Sequence, residues 1–323
     1  MYAPTPILST RLEIVLRQNG LPFHSQNQTF AVTERCDREQ LLRTLLEQLS
    51  EPEANDLRVM FDLTNLMAAT SLPQALHRAN TQWFEDALVR DRFTHWFQPI
   101  VDVANGRIAG HECLIRLEKQ DEPGKFYNGQ DIMDAAVTRG DLHIFDSYSR
   151  RTAIRNAAVQ HRTGKVFINF TPSSIYDPAF CMGSTLQAME NTTFVPDDIV
   201  FEVVESERVR DSRHLRKIAD YYRERGFSMA LDDVGTGANS LQTWADIQPD
   251  YVKLDKSLVW NYKSDIGRKT ICKLAELAAD TGIAVIAEGV ETAEMRDVLR
   301  ECGVSLMQGY FFGRPQAKML ESL

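Results

Sequence analysis

From about residue 95 the chain repeats one pattern: a short apolar run that ends in a polar residue, followed by an amphipathic stretch. The runs are WFQPIVDV, GHECLIRL, KVFINFTP, DIVFEVVE, FSMALDDV, DYVKLDKSL, AVIAEGVE and VSLMQGYFF. Between them lie segments such as RHLRKIADYYRERG and GRKTICKLAELAADTG, with apolar residues three and four apart and a glycine where a helix would be capped. Strand then helix, repeated, implies a parallel sheet, because parallel neighbours need a crossover. About eight such strands suit a closed TIM-like (β/α)8 barrel better than an open sheet. The first two runs are joined only by ANGRIAG, which is too short for a helical crossover. It predicts a hairpin, and so an antiparallel pair at the start of the barrel.

In barrels of this kind the chemistry sits at the C-terminal ends of the strands. The polar residues that end these runs are Glu112, Asn169, Glu202 with Glu205, Asp232 with Asp233, Lys253 with Asp255, Glu288 with Glu291, and Gln308. Acids gathered in one mouth repel each other, and a proton, a basic partner or a cation must relieve them. Oxygen donors without nearby His or Cys favour Mg2+ or Mn2+ over zinc. A carboxylate pair bridging two such ions suits in-line displacement at phosphorus. Asp232 can bridge two cations while Asp233 serves one, and the following GTG lets the backbone turn sharply beside a ligand. Adjacent strand residues point to opposite faces, so the two aspartates share a face only where the strand is ending. Each residue alone has an ordinary reading. The DD pair suits turn or capping chemistry, Asn169 a strand-end hydrogen bond, Glu205 and Glu291 the surface, and Lys253 a pairing with Asp255. Their recurrence at successive strand ends favours a site.

The first 85 residues have a different texture. DREQLLRTLLEQLS is an amphipathic helix capped by Asp37, with Leu41, Leu42, Leu45, Leu46 and Leu49 along one face. QTFAVT and LRVMFDL have strand composition, EPEAND between them is expected as a loop, and TQWFEDALVRDRF as a helix leading into the barrel. The division expected is a small N-terminal α/β module over 1–85, of regulatory or dimer-extending role, and a barrel over 86–323. Of the 323 residues 43% are apolar and 25% charged, as in soluble globular proteins. No apolar run approaches the roughly 20 residues of a membrane span, and no secretory signal opens the chain. A cytoplasmic setting follows. A net charge of -9 argues against DNA, RNA or anionic lipid as partners. Five scattered cysteines without a CxxC pair are expected as reduced thiols.

The motifs FQPIVD, ECLIR, NFTP, EVVESE, DDVGTG, VKLDKSLV, AEGVET and QGYFFGRP, in this order from about Phe93 to Pro315, resemble those of the EAL-domain family of bacterial cyclic di-GMP phosphodiesterases. The resemblance implies a barrel with one antiparallel strand and metal-dependent hydrolysis of cyclic di-GMP to linear 5'-pGpG. It implies that Glu112, Asn169, Glu202 and Asp232 bind one metal, and that Asp232 and Asp233 bind a second, with Glu288 beside it. Lys253 would orient and help deprotonate the attacking water, and Gln308 would hold a water or ligand near the metals. Glu205 would brace the DDVGTG loop, where catalysis and homodimer formation meet in the family. Gln98 and Arg116 would contact substrate, Arg116 through a phosphate oxygen. Cys113 stands where the family name has alanine, Val234 replaces an aromatic, and Ala238 and Asn239 replace tyrosine and serine. The last three bear on coupling between dimer and site. The alternative the resemblance allows is a receptor that binds cyclic di-GMP without efficient hydrolysis; such receptors typically lack metal ligands that this chain keeps.

Overall fold

Leucines three and four apart organise the first unit of the computed structural model, which describes residues 1–32, 37–61, 69–160, 164–203, 212–235 and 241–323. The chain divides into two units, Met1–Asp91 with Asp131–Asp141, and Arg92–Gln130 with Leu142–Leu323. In the first, α1 (Pro6–Gln18) starts where the Thr5 side chain accepts the Leu8 N–H and Pro6 pre-sets the first turn. The strands β1 (Phe23–Gln26) and β2 (Thr29–Val32) form an antiparallel hairpin. Helix α2 (Arg38–Gln48) is capped by Asp37, whose carboxylate accepts from the N–H groups of Glu39 and Gln40. Its Leu42 and Leu45 pack with Leu8, Leu12 and Leu16 of α1 in one core. EPEAND, expected as a loop, is instead helix α3 (Glu51–Asp56). The Glu53 carboxylate accepts from both the backbone N–H and the hydroxyl of Ser50, a reciprocal cap that lets so short a helix form. Two-residue strands β3 (Arg58–Val59) and β4 (Thr70–Ser71) pair antiparallel, and helices α4 (Leu72–Asn80) and α5 (Gln82–Val89) follow.

Residues 131–141 join this unit through helix α6 (Gly129–Arg139). The buried Arg139 guanidinium donates to the carbonyl of Arg78 at 3.1 Å and to Asp141 at 3.2 Å, and it pairs with Glu85. No sequence signal ties this segment to the first ninety residues.

The second unit holds β5 (Thr94–Asp102), β6 (Arg107–Glu118), β7 (Phe126–Tyr127), α7 (Leu142–Ala158), β8 (Lys165–Phe170), α8 (Pro178–Met189), β9 (Ile199–Val203), α9 (Ser212–Arg223), β10 (Ser228–Val234), α10 (Leu241–Ile247), β11 (Tyr251–Leu254), α11 (Lys256–Val259), α12 (Asp265–Thr281), β12 (Ala284–Ala287), α13 (Ala293–Glu301) and β13 (Leu306–Gln308). The strand order β5-β13-β12-β11-β10-β9-β8-β6 closes on itself through the β5–β6 pair, and β7 extends it beyond β6. The result is a closed eight-stranded barrel with one extra strand. Its hairpin is the one expected: β5 runs antiparallel to both β6 and β13. The Gly282 expected to cap a helix does so in a left-handed conformation at the end of α12.

Side-chain alternation decides what faces inward. Ile100, Phe167, Val200, Ala230 and Ile286 plug the barrel, with Tyr251 and Leu306 against them. Four of the expected site residues lie two positions further along the same strands, Asn169 after Phe167, Glu202 after Val200, Asp232 after Ala230 and Lys253 after Tyr251, and Glu288, directly past the end of β12, follows Ile286 by the same step. Gln308 follows Leu306 by the same step, and on the reversed strand β5 Gln98 precedes Ile100 by two. The polar layer thus rests on the apolar plug.

One expectation about cysteine is overturned. Cys272 of α12 and Cys302, at the end of α13, form a disulfide, whereas five reduced thiols were expected. The two are 30 residues apart in sequence, and the strand–helix repeat brings successive outer helices together where linear spacing shows nothing. Among the described residues no helix is long and apolar enough to cross a membrane.

Candidate functional site

The barrel interior above the plug centres on a buried lysine. Lys253, at the inward-facing position of β11, is 1% exposed. Its Nζ lies 2.7 Å from Glu288, 3.1 Å from Glu202, 3.2 Å from Asp232 and 3.6 Å from Glu112. Glu288 directly follows β12, and the other three come from β9, β10 and β6 respectively. Burial works against the charged ammonium, but Asp232, Glu112, Glu202 and Glu288 outweigh it and hold the group well above the ordinary lysine range. The ordinary reading in which Lys253 pairs with Asp255 does not hold: the Asp255 carboxylate accepts the Ser257 N–H at 2.8 Å and caps α11.

One ammonium cannot balance four acids, of which Glu112 and Glu202 are buried and Asp232 and Glu288 half-buried. Burial pushes Glu202 well above the usual carboxylate range and raises Asp232. Burial, with crowding from Asp232 and Glu112 and against the pull of Lys253, pushes Glu288 up to about 8. Glu112 goes the other way. Burial opposes its ionisation, but Lys253, Gln308 and Asn169 together hold it below its ordinary value. Gln308 Nε2 donates to Glu112 at 2.6 Å and to the Gln98 carbonyl oxygen at 3.1 Å, and Asn169 Nδ2 donates to Glu112 at 3.2 Å. Of the residues expected around one cation, Asn169 thus bonds Glu112, and Glu112, Glu202 and Asp232 share the Lys253 ammonium.

The adjacent aspartates share one site because the strand bulges before it ends. The β10–β11 register slips between Leu231 and Val234, and Asp233 takes a left-handed φ of 55°, a conformation aspartate tolerates better than most residues. The slip cancels the alternation that would send the two side chains apart. As a result Asp232, Asp233 and Glu288 present carboxylate oxygens within 4.8 Å of one another.

These residues fit divalent cations. Among the described residues the buried Glu202 has only the Lys253 ammonium, 3.1 Å from its Oε1, against its carboxylate, the donors are hard oxygens, and three of the acids are driven toward protonation unless positive charge arrives. The site opens into a cavity of about 330 Å³, lined in part by Gln98, Glu112, Asp232, Glu288, Glu291 and Gln308. Arg116 does not line it; its guanidinium donates to the Ile115 carbonyl and lies 5.5 Å from the centre of the Trp96 ring. Glu205, Ala238 and Asn239 lie outside the described residues. Lys256, Trp260 and Tyr310 line the cavity too, and the sequence reading missed them. The four-residue step from Lys256 to Trp260, directly after the cap at Asp255, was the available signal, since residues so spaced share a helical face.

The loops that carry the acids are locked by backbone contacts. Val290 N–H donates to the Gln308 carbonyl and Phe311 N–H to the Val290 carbonyl, each at 3.0 Å. A side chain at Gly309 would come within 2.1 Å of the Val290 carbonyl oxygen, so only glycine permits this approach.

Comparison with known proteins agrees with the barrel fold. The family model described as EAL domain matches residues 81–315. The probable cyclic di-GMP phosphodiesterase PdeG of Escherichia coli K12 is 32% identical over 225 residues, which cover 68% of this chain and 44% of that protein. The chain thus spans less than half the length of that relative. Among solved structures, a standalone versatile EAL protein from Vibrio cholerae O395, in a c-di-GMP bound form, has a TM-score of 0.65 and 34% identity over 72% of this chain and 95% of that one. Klebsiella pneumoniae BlrP1, in a complex with calcium and cyclic di-GMP, has a TM-score of 0.62 and 26% identity over 97% of this chain and 73% of its own.

Proposed function

The chain belongs to the EAL domain family, and on that premise we propose that it hydrolyses one phosphodiester of cyclic di-GMP to linear 5'-pGpG, using two divalent cations, Mg2+ or Mn2+. The observation that carries the reading is the set of four acids, Glu112, Glu202, Asp232 and Glu288, around the buried ammonium of Lys253. A receptor needs no such excess of negative charge to hold an anionic dinucleotide; a cation-dependent hydrolase does. Glu112, Asn169, Glu202 and Asp232 would hold one cation, and Asp232, Asp233 and Glu288 the other. When bound, the cations would offset the charge of the diester and make a water acidic enough to attack phosphorus.

The chain's own groups do the rest. Lys253, kept charged by its neighbours, donates to the attacking water and fixes its direction; helping to deprotonate that water would require the ammonium to lose its proton, which the acids oppose. Gln308 aims the Glu112 carboxylate by donating to it, and ties it to Gln98. Arg116 would have to leave the Ile115 carbonyl to reach a phosphate oxygen. Glu205 is proposed to brace the loop after β10 in a homodimer formed through the barrel, and the setting is taken as cytoplasmic.

The test is incubation with cyclic di-GMP, with and without Mg2+ or Mn2+, with products separated by ion-pair chromatography. Cation-dependent pGpG is expected, and it should vanish in Glu112→Ala. Tight binding with intact dinucleotide after long incubation would replace the enzyme with a receptor.

A further inference from the structure

We propose that Trp260 is a stacking platform for one guanine base of the substrate; this rests on the cyclic di-GMP reading above. The carboxylate layer can engage only the scissile diester, so the two bases must lie beyond it, against the wall of the cavity. Trp260 is part of that wall. It is 51% exposed, although a tryptophan is ordinarily among the more covered side chains. Its polar edge is already used: the indole Nε1–H donates to the Gly289 carbonyl at 2.9 Å. That contact is built in, because Gly289 takes a φ of +66° and a Cβ there would come within 2.6 Å of the Lys256 Cβ and 3.1 Å of the Trp260 Nε1. Its edge is thus tied to the loop after β12, and the exposed ring is part of the cavity wall.

A purine is the part of the substrate that suits such a face, since every base offers a π-surface and needs no further hydrogen bond to stack. Four residues earlier, at the start of α11, whose end Trp260 follows directly, Lys256 is exposed, lines the same cavity and forms no ion pair among the described residues. Its three donors suit the O6 and N7 acceptors that distinguish guanine. Gly289, Lys256 and Trp260 thus form a corner in which a guanine could be stacked on one side and hydrogen-bonded at its edge.

The experiment compares wild type, Trp260→Ala and Trp260→Phe in steady-state hydrolysis of cyclic di-GMP with Mn2+, together with calorimetric binding. For Trp260→Ala, KM and Kd should rise about 5- to 20-fold, the lower half of the range for stacking on a base, while kcat stays within about threefold. Trp260→Phe, which keeps an aromatic face but not the hydrogen bond, should recover most of the affinity. Unchanged KM and Kd in Trp260→Ala overturn the platform alone. So does a fall in kcat at constant KM, which would make the indole a positioning residue for the Glu288 loop. Wild type that neither binds nor cleaves the dinucleotide overturns the underlying cyclic di-GMP reading instead.

Discussion

At the scale of single residues, Lys253 sets the electrostatics of the barrel mouth. Removing it by Lys253→Met would leave Glu112, Glu202, Asp232 and Glu288 facing one another with no cation between them. Breaking a buried ion pair from one side costs about 3–5 kcal/mol, but these acids can escape part of that cost by holding protons. A carboxyl whose folded pKa is raised above its unfolded value supports the fold below the unfolded pKa, and that support is lost as pH rises through the folded pKa. Glu288 is already raised to about 8 with the lysine present. The melting temperature of Lys253→Met should therefore fall further below wild type at pH 8 than at pH 5, and added Mn2+ should narrow the gap at pH 8. Melts showing the same gap at both pH values would refute this charge balance. Most of the residues involved could be identified from strand ends alone. What the sequence could not show was that Asp233 adopts a left-handed backbone, because that conformation comes from the register slip against β11.

At the scale of elements, strand periodicity was legible and helix boundaries were less so. The runs that end in polar residues became β6, β8, β9, β10, β11, β12 and β13 because each must bury a face in the barrel. Helix α3 was missed because its stability lies in the Ser50–Glu53 cap and not in an apolar stripe, which six residues cannot display. The disulfide between α12 and the end of α13 was missed because it depends on which outer helices become neighbours. It has a simple chemical consequence. Cys272 and Cys302 are joined while Cys113 and Cys181 are free thiols, so in protein unfolded without reductant a thiol reagent should label Cys113 and Cys181 but neither Cys272 nor Cys302, and all four after reduction. Labelling of Cys272 and Cys302 without reductant would remove the bond.

At the scale of the whole chain, the grouping of Asp131–Asp141 with Met1–Asp91 bears on how the protein can be divided. Arg139, buried in that segment, has Arg78, Thr81 and Glu85 as partners. A fragment beginning at Arg92 would leave this guanidinium buried without them or force it into water. It should melt below the intact chain and be cut by protease within 131–141 first; a fragment as stable and as resistant as the full chain would show that the segment needs nothing before Arg92. The sequence by itself determined the barrel, its antiparallel first strand and the identity of the acidic layer, because an alternation of period two and the C-terminal position of polar residues survive in a linear string. Only the tertiary structure decided that Lys253 is shared among four acids, that Asp232 and Asp233 face one site, that Cys272 meets Cys302, and that Trp260 lies beside the acids. Each of these depends on closure, which brings residues from distant strands within a few ångströms and sets charge, burial and register together.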